Sequence, residues 1–377
     1  MNPLISPAQV DQILDENWPD FGTESVAVTH AAGRVLAEDL HADRPFPPYD
    51  RAMMDGIICR SCDGFPMTVS GLHPAGAAEP DAPAAGHCYE IMTGAVVPKG
   101  LDRLVPYEQI EIVDGQVQLS GQLSEPGQFI HRVGSDAFAG DCLLRAGTNL
   151  TPPCLGLAAS VGRSEVLVQS LPRVALVSTG DELVPVDSIP EDHQIRRSNP
   201  VALESTLRSR GVTEIVTAVS ADTADDTSQT LKRAISKAQL VIVSGGISKG
   251  KLDHVRPVLE ALVGPPLFHG VSQKPGKPLG LWRAANGTLV IALPGNPNSC
   301  LTCLTRYILP RISPSGTEVL PIRSQNQLPL SHFQPVKNLT VQTPQNSGDE
   351  IGIASSTGFV EVPPGEVTEA TRYNWLG

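Results

Sequence analysis

Three stretches of this chain are apolar without any polar alternation: Val174-Ala175-Leu176-Val177, Leu240-Val241-Ile242-Val243 and Leu289-Val290-Ile291-Ala292. A strand with one wet face alternates apolar and polar side chains. Uninterrupted runs of this length suit strands buried on both faces. Helical patterns lie between them. Asn199-Pro200 opens a helix that closes near Gly211, and Leu231, Ala234, Ile235 and Ala238 mark one face of the next. Residues 212–219 supply a further strand, and Asn296 caps a helix that starts at Pro297 and runs towards Ile312. Strands alternating with helices predict a doubly wound parallel α/β sheet over 172–313.

The flanking sequence has a different texture. Ser6-Pro7 opens a helix with Val10, Ile13 and Leu14 on its apolar face, and residues 25–29 alternate like a strand. From Arg44 to about Gly127, prolines, glycines and short β-prone runs such as Met67-Thr68-Val69 and Ile110-Glu111-Ile112-Val113 predict an inserted β-module. Residues 151–161 return as a helix. The division expected is therefore helical segments over 1–44 and 128–171, a β-module over 45–127, the α/β domain over 172–313 and a small β-domain over 314–377.

Composition excludes some functions. A net charge of −12 over 377 residues argues against nonspecific binding to nucleic acid or an anionic membrane surface. No run of 18 apolar residues occurs and no basic-then-apolar leader opens the chain, so a soluble cytoplasmic protein is expected. The seven cysteines do not suggest a disulfide framework. Cys59/Cys62 and Cys300/Cys303 have zinc-ligand spacing, but the second pair sits in an apolar helical run where small buried thiols are common.

The chemistry is expected where the buried strands end. In a parallel sheet the clusters at 178–182, 244–253 and 294–299 lie on one edge and can converge on one pocket. Gly245 and Gly246 permit a sharp turn and close approach of a ligand, with Ser244, Ser248 and Asp253 around them. An ordinary strand-to-helix turn is the alternative for that stretch alone. Asn296 caps a helix whose free N–H groups favour an anion, and Lys274-Pro275-Gly276-Lys277-Pro278 adds two cations on a constrained turn. Solvated loop charge is the alternative for the lysines. Glu182, Asp222 and Asp253 at strand ends, with Asp55 and Asp136 in loops flanking the β-module, could hold a divalent cation or move protons. An Asp in a glycine-bearing loop can equally be a cap or turn residue.

Taken together, AMMDG (52–56), IMTGAVVP (91–98), STGDEL (178–183), SGGIS (244–248), KPGKP (274–278) and LPGNPNS (293–299) resemble the molybdopterin molybdenumtransferase family, MoeA and the gephyrin E-domain. Gln345-Asn346-Ser347-Gly348 and 358–363 resemble its C-terminal domain. The resemblance implies a helical linker domain, an inserted β-module, a molybdopterin-binding α/β domain and a C-terminal β-barrel-like domain. It also implies a homodimer whose active site draws on both subunits. The implied reaction inserts molybdenum from molybdate into adenylyl-molybdopterin and releases AMP in a Mg²⁺-dependent step. Carried over by position, Asp55, Asp136 and Glu182 would be catalytic, and Asp222 and Asp253 would bind metal. Thr93, Ser178, Thr179, Gly245, Gly246, Ser248, Asp253, Lys274, Lys277, Asn296, Ser299 and Ser347 would bind substrate. Other molybdenum cofactor enzymes would be partners.

The chain departs from the family pattern in several places. His131-Arg132-Val133-Gly134-Ser135-Asp136 lacks the usual Glu before the Asp, Arg197 and Lys251 stand where acids are usual, and Phe333 lacks its flanking arginines. Arg196, Arg197, Lys249 and Lys251 would offset that lost charge. The departures keep two other readings open. One is a relative that adenylylates molybdopterin or acts on another nucleotide, and the other is a paralogue that binds the pterin or scaffolds partners without turnover.

Overall fold

A computed structural model describes residues 4–248, 250, 253–314, 317–337, 340–341 and 350–375. The chain divides into two compact units. The first comprises Met1–Ala37, Asn149–Thr151 and Val166–Gly377, and the second Glu38–Thr148 and Pro152–Glu165.

The first unit is built on a six-stranded sheet in the order Ile215–Ser220, Val174–Thr179, Leu240–Ser244, Leu289–Leu293, Gly280–Arg283, Phe268–His269. The first four strands are parallel, and the last two continue antiparallel. The apolar runs explain the layering. Val174, Leu176, Leu240, Ile242, Leu289 and Ile291 face one core with Val10, Leu14, Leu203 and Leu207, which lie on helices α1 (Pro7–Asn17) and α3 (Ser198–Ser209), α2 being Pro152–Ser160 in the other unit. The alternate residues Ala175, Val177, Val241, Val243, Val290 and Ala292 face the other, against α4 (Ala224–Lys237) and α5 (Val255–Val263). Period-two side-chain alternation with both sets apolar requires a cover on each face.

Three sequence expectations are adjusted. The strand expected over 212–219 begins at Ile215, because Val212 is spent in the core beneath α3. The helix expected from Pro297 to Ile312 is α-helical only over Pro297–Cys303 (α6). It widens to a π-helix over Leu304–Ile308 and ends in Leu309–Ile312 (α7). Pro310 carries no N–H for the carbonyl four residues back and clashes with it in a regular helix, and a wider turn relieves both. The segments read as helical, 1–44 and 128–171, hold one α-helix each among the described residues, because Gly- and Pro-rich turns fill most of the rest. Of these two helices, α1 packs into the core of the α/β sheet.

The C-terminal strands form a second sheet of the first unit, ordered Gln273–Lys274, Ser331–Lys337, Gly358–Val362, Gly365–Asn374, Glu318–Asn326. Gln273–Lys274, from the KPGKP region, thus forms its edge and pairs in parallel with Ser331 and His332. In the second unit the β-module is a six-stranded sheet ordered Arg103–Pro106, Gly56–Cys59, His87–Ile91, Met67–His73, Gln116–Leu119, Ile110–Val113. The glycine of AMMDG has a steric reason: a Cβ on Gly56 would lie 2.1 Å from the Val105 carbonyl oxygen.

Candidate functional site

A cavity of about 790 Å³ opens at the carboxyl edge of the parallel strands. Its floor is three strand ends: Ser178 to Gly180, Ser244 to Ser248, and Pro294 to Pro297. They pack backbone to backbone. Gly245 (φ 96°) and Gly246 (φ 60°) turn in the left-handed region, and a Cβ on either would come within 3 Å of Thr179. A Cβ on Gly295 would lie 3.3 Å from the Gly245 Cα. Hydrogen bonds complete the junction. Ser178 and Ser244 hydroxyls, both buried, lie 3.1 Å apart, and Gly245 N–H donates to the Leu293 carbonyl at 3.2 Å. The Thr179 hydroxyl is buried without a hydrogen-bond partner among the described residues.

The carboxylates of the cavity are largely engaged in folding its rim. Asp253 accepts from Gly250 N–H at 2.9 Å and donates its own N–H to the Gly250 carbonyl, closing the loop after the two glycines. Asp222 and Asp181 each accept the other's backbone N–H, at 3.3 and 3.0 Å. Among the described residues no group of three or more His, Cys, Asp or Glu could hold a metal ion. Burial also pushes the Cys59 and Cys303 thiols up to about 12 and raises Cys300, as expected of thiols enclosed among apolar side chains.

Of the residues singled out from the sequence, Ser178, Thr179, Glu182, Asp222, Gly245, Gly246, Ser248, Asp253 and Asn296 line this one cavity. Ser299 does not. It is buried in the first turn of α6, where its N–H bonds Asn296 Oδ1 at 3.4 Å. Pro297 has no N–H, and Cys300 N–H bonds the Asn296 carbonyl, so the start of α6 offers an anion less than its capping sequence suggested. Lys274 and Lys277 lie on the exposed face of their turn, off the cavity lining, whereas the adjacent Pro278 lines it. Lys249, Lys251 and Ser347 lie outside the described residues.

The structure adds a wall that the strand-end reasoning missed. Gln194, Arg196, Arg197, Ser198 and Asn199 line the cavity, and Asn199 Nδ2 donates to the Gly295 carbonyl at 2.7 Å. Arg196 and Arg197 were visible as unusual charge, but only the packing of α3 against α6 places this segment beside the glycine loops.

Lys274 has a neighbour of its own. It pairs in register with His332, whose pKa is held down by burial and then by the lysine's charge. The unfolded chain therefore takes up this proton first. Stability is fully present above about pH 6.5 and declines as pH falls from there towards the folded pKa. Replacing Lys274 by methionine should raise the His332 midpoint, read by NMR of the imidazole Cε1–H. An unchanged midpoint would show that the lysine charge does not reach it.

In the second unit, Asp55 accepts both the backbone N–H and the hydroxyl of Thr93, at 2.6 and 2.7 Å. These bonds, the backbone one first, lower its pKa. Asp136 accepts from His131 Nε2 at 2.8 Å and from the Ser135 hydroxyl, and the histidine bond is the main cause of its lowered pKa. Replacing Thr93 by valine removes one of the two donors. The Asp55 midpoint should then rise part of the way to the ordinary aspartate range, measurable by carboxyl ¹³C NMR, and acid would titrate the group earlier. No change would mean that the hydroxyl is not bonded in solution.

A doubly wound sheet with a glycine-floored cavity at its carboxyl edge places the chain in the class of open α/β proteins, whose ligands bind in a crevice at the strand ends. Family comparison narrows the class. Residues 5–162 match the MoeA N-terminal region (domain I and II), and residues 175–314, which contain the whole cavity lining, match a probable molybdopterin binding domain. The chain is 37% identical to a molybdopterin molybdenumtransferase of Synechocystis, over 96% of each protein. It is 31% identical to gephyrin of Dictyostelium discoideum over 78% of this chain and 47% of that protein. The crystal structure of a molybdopterin biosynthesis moeA protein from Pyrococcus horikoshii superposes with a TM-score of 0.81 at 25% identity, covering 98% of this chain and all of that one. The chain belongs to the molybdopterin molybdenumtransferase family.

Proposed function

We propose that this protein acts in molybdenum cofactor biosynthesis, inserting molybdenum from molybdate into adenylyl-molybdopterin and releasing AMP. The observation that carries the proposal is the glycine-floored cavity of about 790 Å³. It has room for a pterin nucleotide, and it lies within the segment that matches molybdopterin-binding domains. On this reading Ser178, Thr179 and the 244–248 loop hold the pterin nucleotide, and Arg196 and Arg197 face its phosphates. Lys274 and Lys277 hold molybdate. Glu182 positions reacting groups or moves protons in the cavity, and in the second unit Asp55, oriented by Thr93, and Asp136 are the other catalytic carboxylates of this reading.

Mg²⁺ belongs to the same proposal. It commonly keeps several waters and binds one or two carboxylates together with substrate phosphates. Asp222 and Asp253 line the cavity without forming a three-ligand cage, a donor set that fits an ion brought in with the phosphates. When bound, it would neutralise the charge that develops as the phosphoanhydride breaks. The described helices include none long and apolar enough to cross a membrane. Cytoplasmic residence, a homodimer, the four-part domain division and delivery of product to molybdenum enzymes complete the proposal.

Incubating the pure protein with adenylyl-molybdopterin, Mg²⁺ and molybdate tests it. AMP release together with a cofactor that reconstitutes an apo-molybdenum enzyme is the expected result. Tight binding of adenylyl-molybdopterin without AMP release would overturn the catalytic reading and leave a binding protein.

A further inference from the structure

The turn that carries Lys274 and Lys277 rests on a buried polar network. Gln273 is fully buried, and its side-chain amide has a partner on each side. Its Nε2 donates to the Gly276 carbonyl at 3.3 Å and to Cys303 Sγ at 3.4 Å, and its Oε1 accepts from the Tyr307 hydroxyl. Cys303 and Tyr307 lie on α6 and the π-helix beneath the turn, each no more than 1% exposed. Gly276 (φ 94°) is pressed onto this network. A Cβ there would lie 2.5 Å from both Cys303 Sγ and Gln273 Nε2. Backbone bonds close the turn from outside, with Val271 N–H donating to the Lys277 carbonyl at 2.8 Å and Leu279 N–H to the Gly276 carbonyl at 3.2 Å.

An apolar side chain at 273 would fill the same space without the cost of burying an amide, so the amide has to be explained by what its bonds hold. They tie the carbonyl of Gly276, the residue directly before Lys277 in the Lys274–Lys277 turn, to the buried Cys303 and Tyr307. Burial keeps the Tyr307 hydroxyl protonated, and it can therefore serve as a standing donor. The π-helix adds a reason for the local geometry: the widened turn at Leu304–Ile308 includes Tyr307 and follows directly on Cys303.

We propose that Gln273, anchored by Tyr307 and Cys303, is a positioning residue that sets the spacing of Lys274 and Lys277 for a tetrahedral oxyanion. The inference rests on the proposed reading of the two lysines as oxyanion contacts. Gln273 touches no substrate and acts only through the turn.

Gln273→Leu keeps the volume and removes the hydrogen bonds, and Tyr307→Phe removes one oxygen. Both should weaken molybdate binding, measured by titration calorimetry, by about tenfold, as supporting groups behind an ion's direct contacts commonly do. Adenylyl-molybdopterin affinity should stay unchanged. In turnover the effect should be a raised KM for molybdate with kcat at saturation retained, a split that a general loss of stability would not produce. Lys274→Ala and Lys277→Ala serve as the reference. If they leave molybdate affinity intact, the oxyanion reading fails and this inference with it. If they weaken it while Gln273→Leu and Tyr307→Phe bind as tightly as the parent, the positioning role alone is overturned. Should Gln273→Leu fail to fold, Tyr307→Phe decides.

Discussion

Replacing Gly245 by alanine is expected to cost about 2–4 kcal/mol of stability and at least a hundredfold in AMP release, from backbone strain and an overpacked contact acting together. At φ 96° an L-residue is strained before any contact is counted. Its Cβ would also lie 2.9 Å from both the carbonyl oxygen and the hydroxyl of Thr179. Neither atom can yield easily. The carbonyl is backbone at the end of a buried strand, and the hydroxyl is enclosed. Relief must come from moving the loop into the cavity, where the substrate would sit. Urea unfolding and an AMP assay read the two effects separately. A variant as stable and as active as the parent would show that the three strand ends are not packed as described.

Arg306→Met should cost about 3–5 kcal/mol, in the range for removing one partner of a buried ionic network. The Arg306 side chain is 11% exposed and donates to both oxygens of Asp11, at 3.1 and 2.8 Å, and to Glu361 at 2.8 Å. Its guanidinium also lies 4.8 and 5.0 Å from the centres of the Tyr307 and Tyr373 rings. The residue therefore joins α1, the π-helix and the C-terminal sheet through one charge. Methionine would leave the Glu361 carboxylate, 16% exposed, without its partner. Denaturant unfolding measures the loss, and Arg306→Met with Glu361→Gln should recover part of it, because the stranded charge is then gone. Equal stability of single and double variants would argue that packing, not charge, dominates. Activity should fall only as the folded fraction falls, since neither residue lines the cavity.

Much of the α/β fold could be read directly. The three buried runs, the capping residues at Ser6 and Asn296, and the amphipathic face of α4 are local patterns, and the structure has each of them. The cavity floor could be read as well, since strand ends in a parallel sheet must share an edge. The antiparallel strands Phe268–His269 and Gly280–Arg283 were not expected. They are short, and their apolar residues do not alternate far enough to separate a strand from a loop. The interruption of the helix after α6 also escaped. Pro310 announces a break, but whether it yields a kink, an end or a π-turn depends on what packs against it.

The boundary between local pattern and tertiary packing runs through the site itself. Sequence by itself determined which elements form and which residue types stand at their ends, because capping, glycine turns and period-two burial depend on neighbours in the chain. It also carried the family, through the order of several motifs no one of which is specific. Tertiary structure alone decided which of the polar residues meet. Glu182, Asp222, Asp253 and the Arg196–Arg197 wall share a cavity, and Ser299 is buried away from it. Lys274 became the neighbour of His332, 58 positions further along the chain, through the pairing of a sheet edge. Hydrogen bonds and steric exclusion act over a few ångströms of space, whatever the separation along the chain. The roles of such residues follow from where packing puts them.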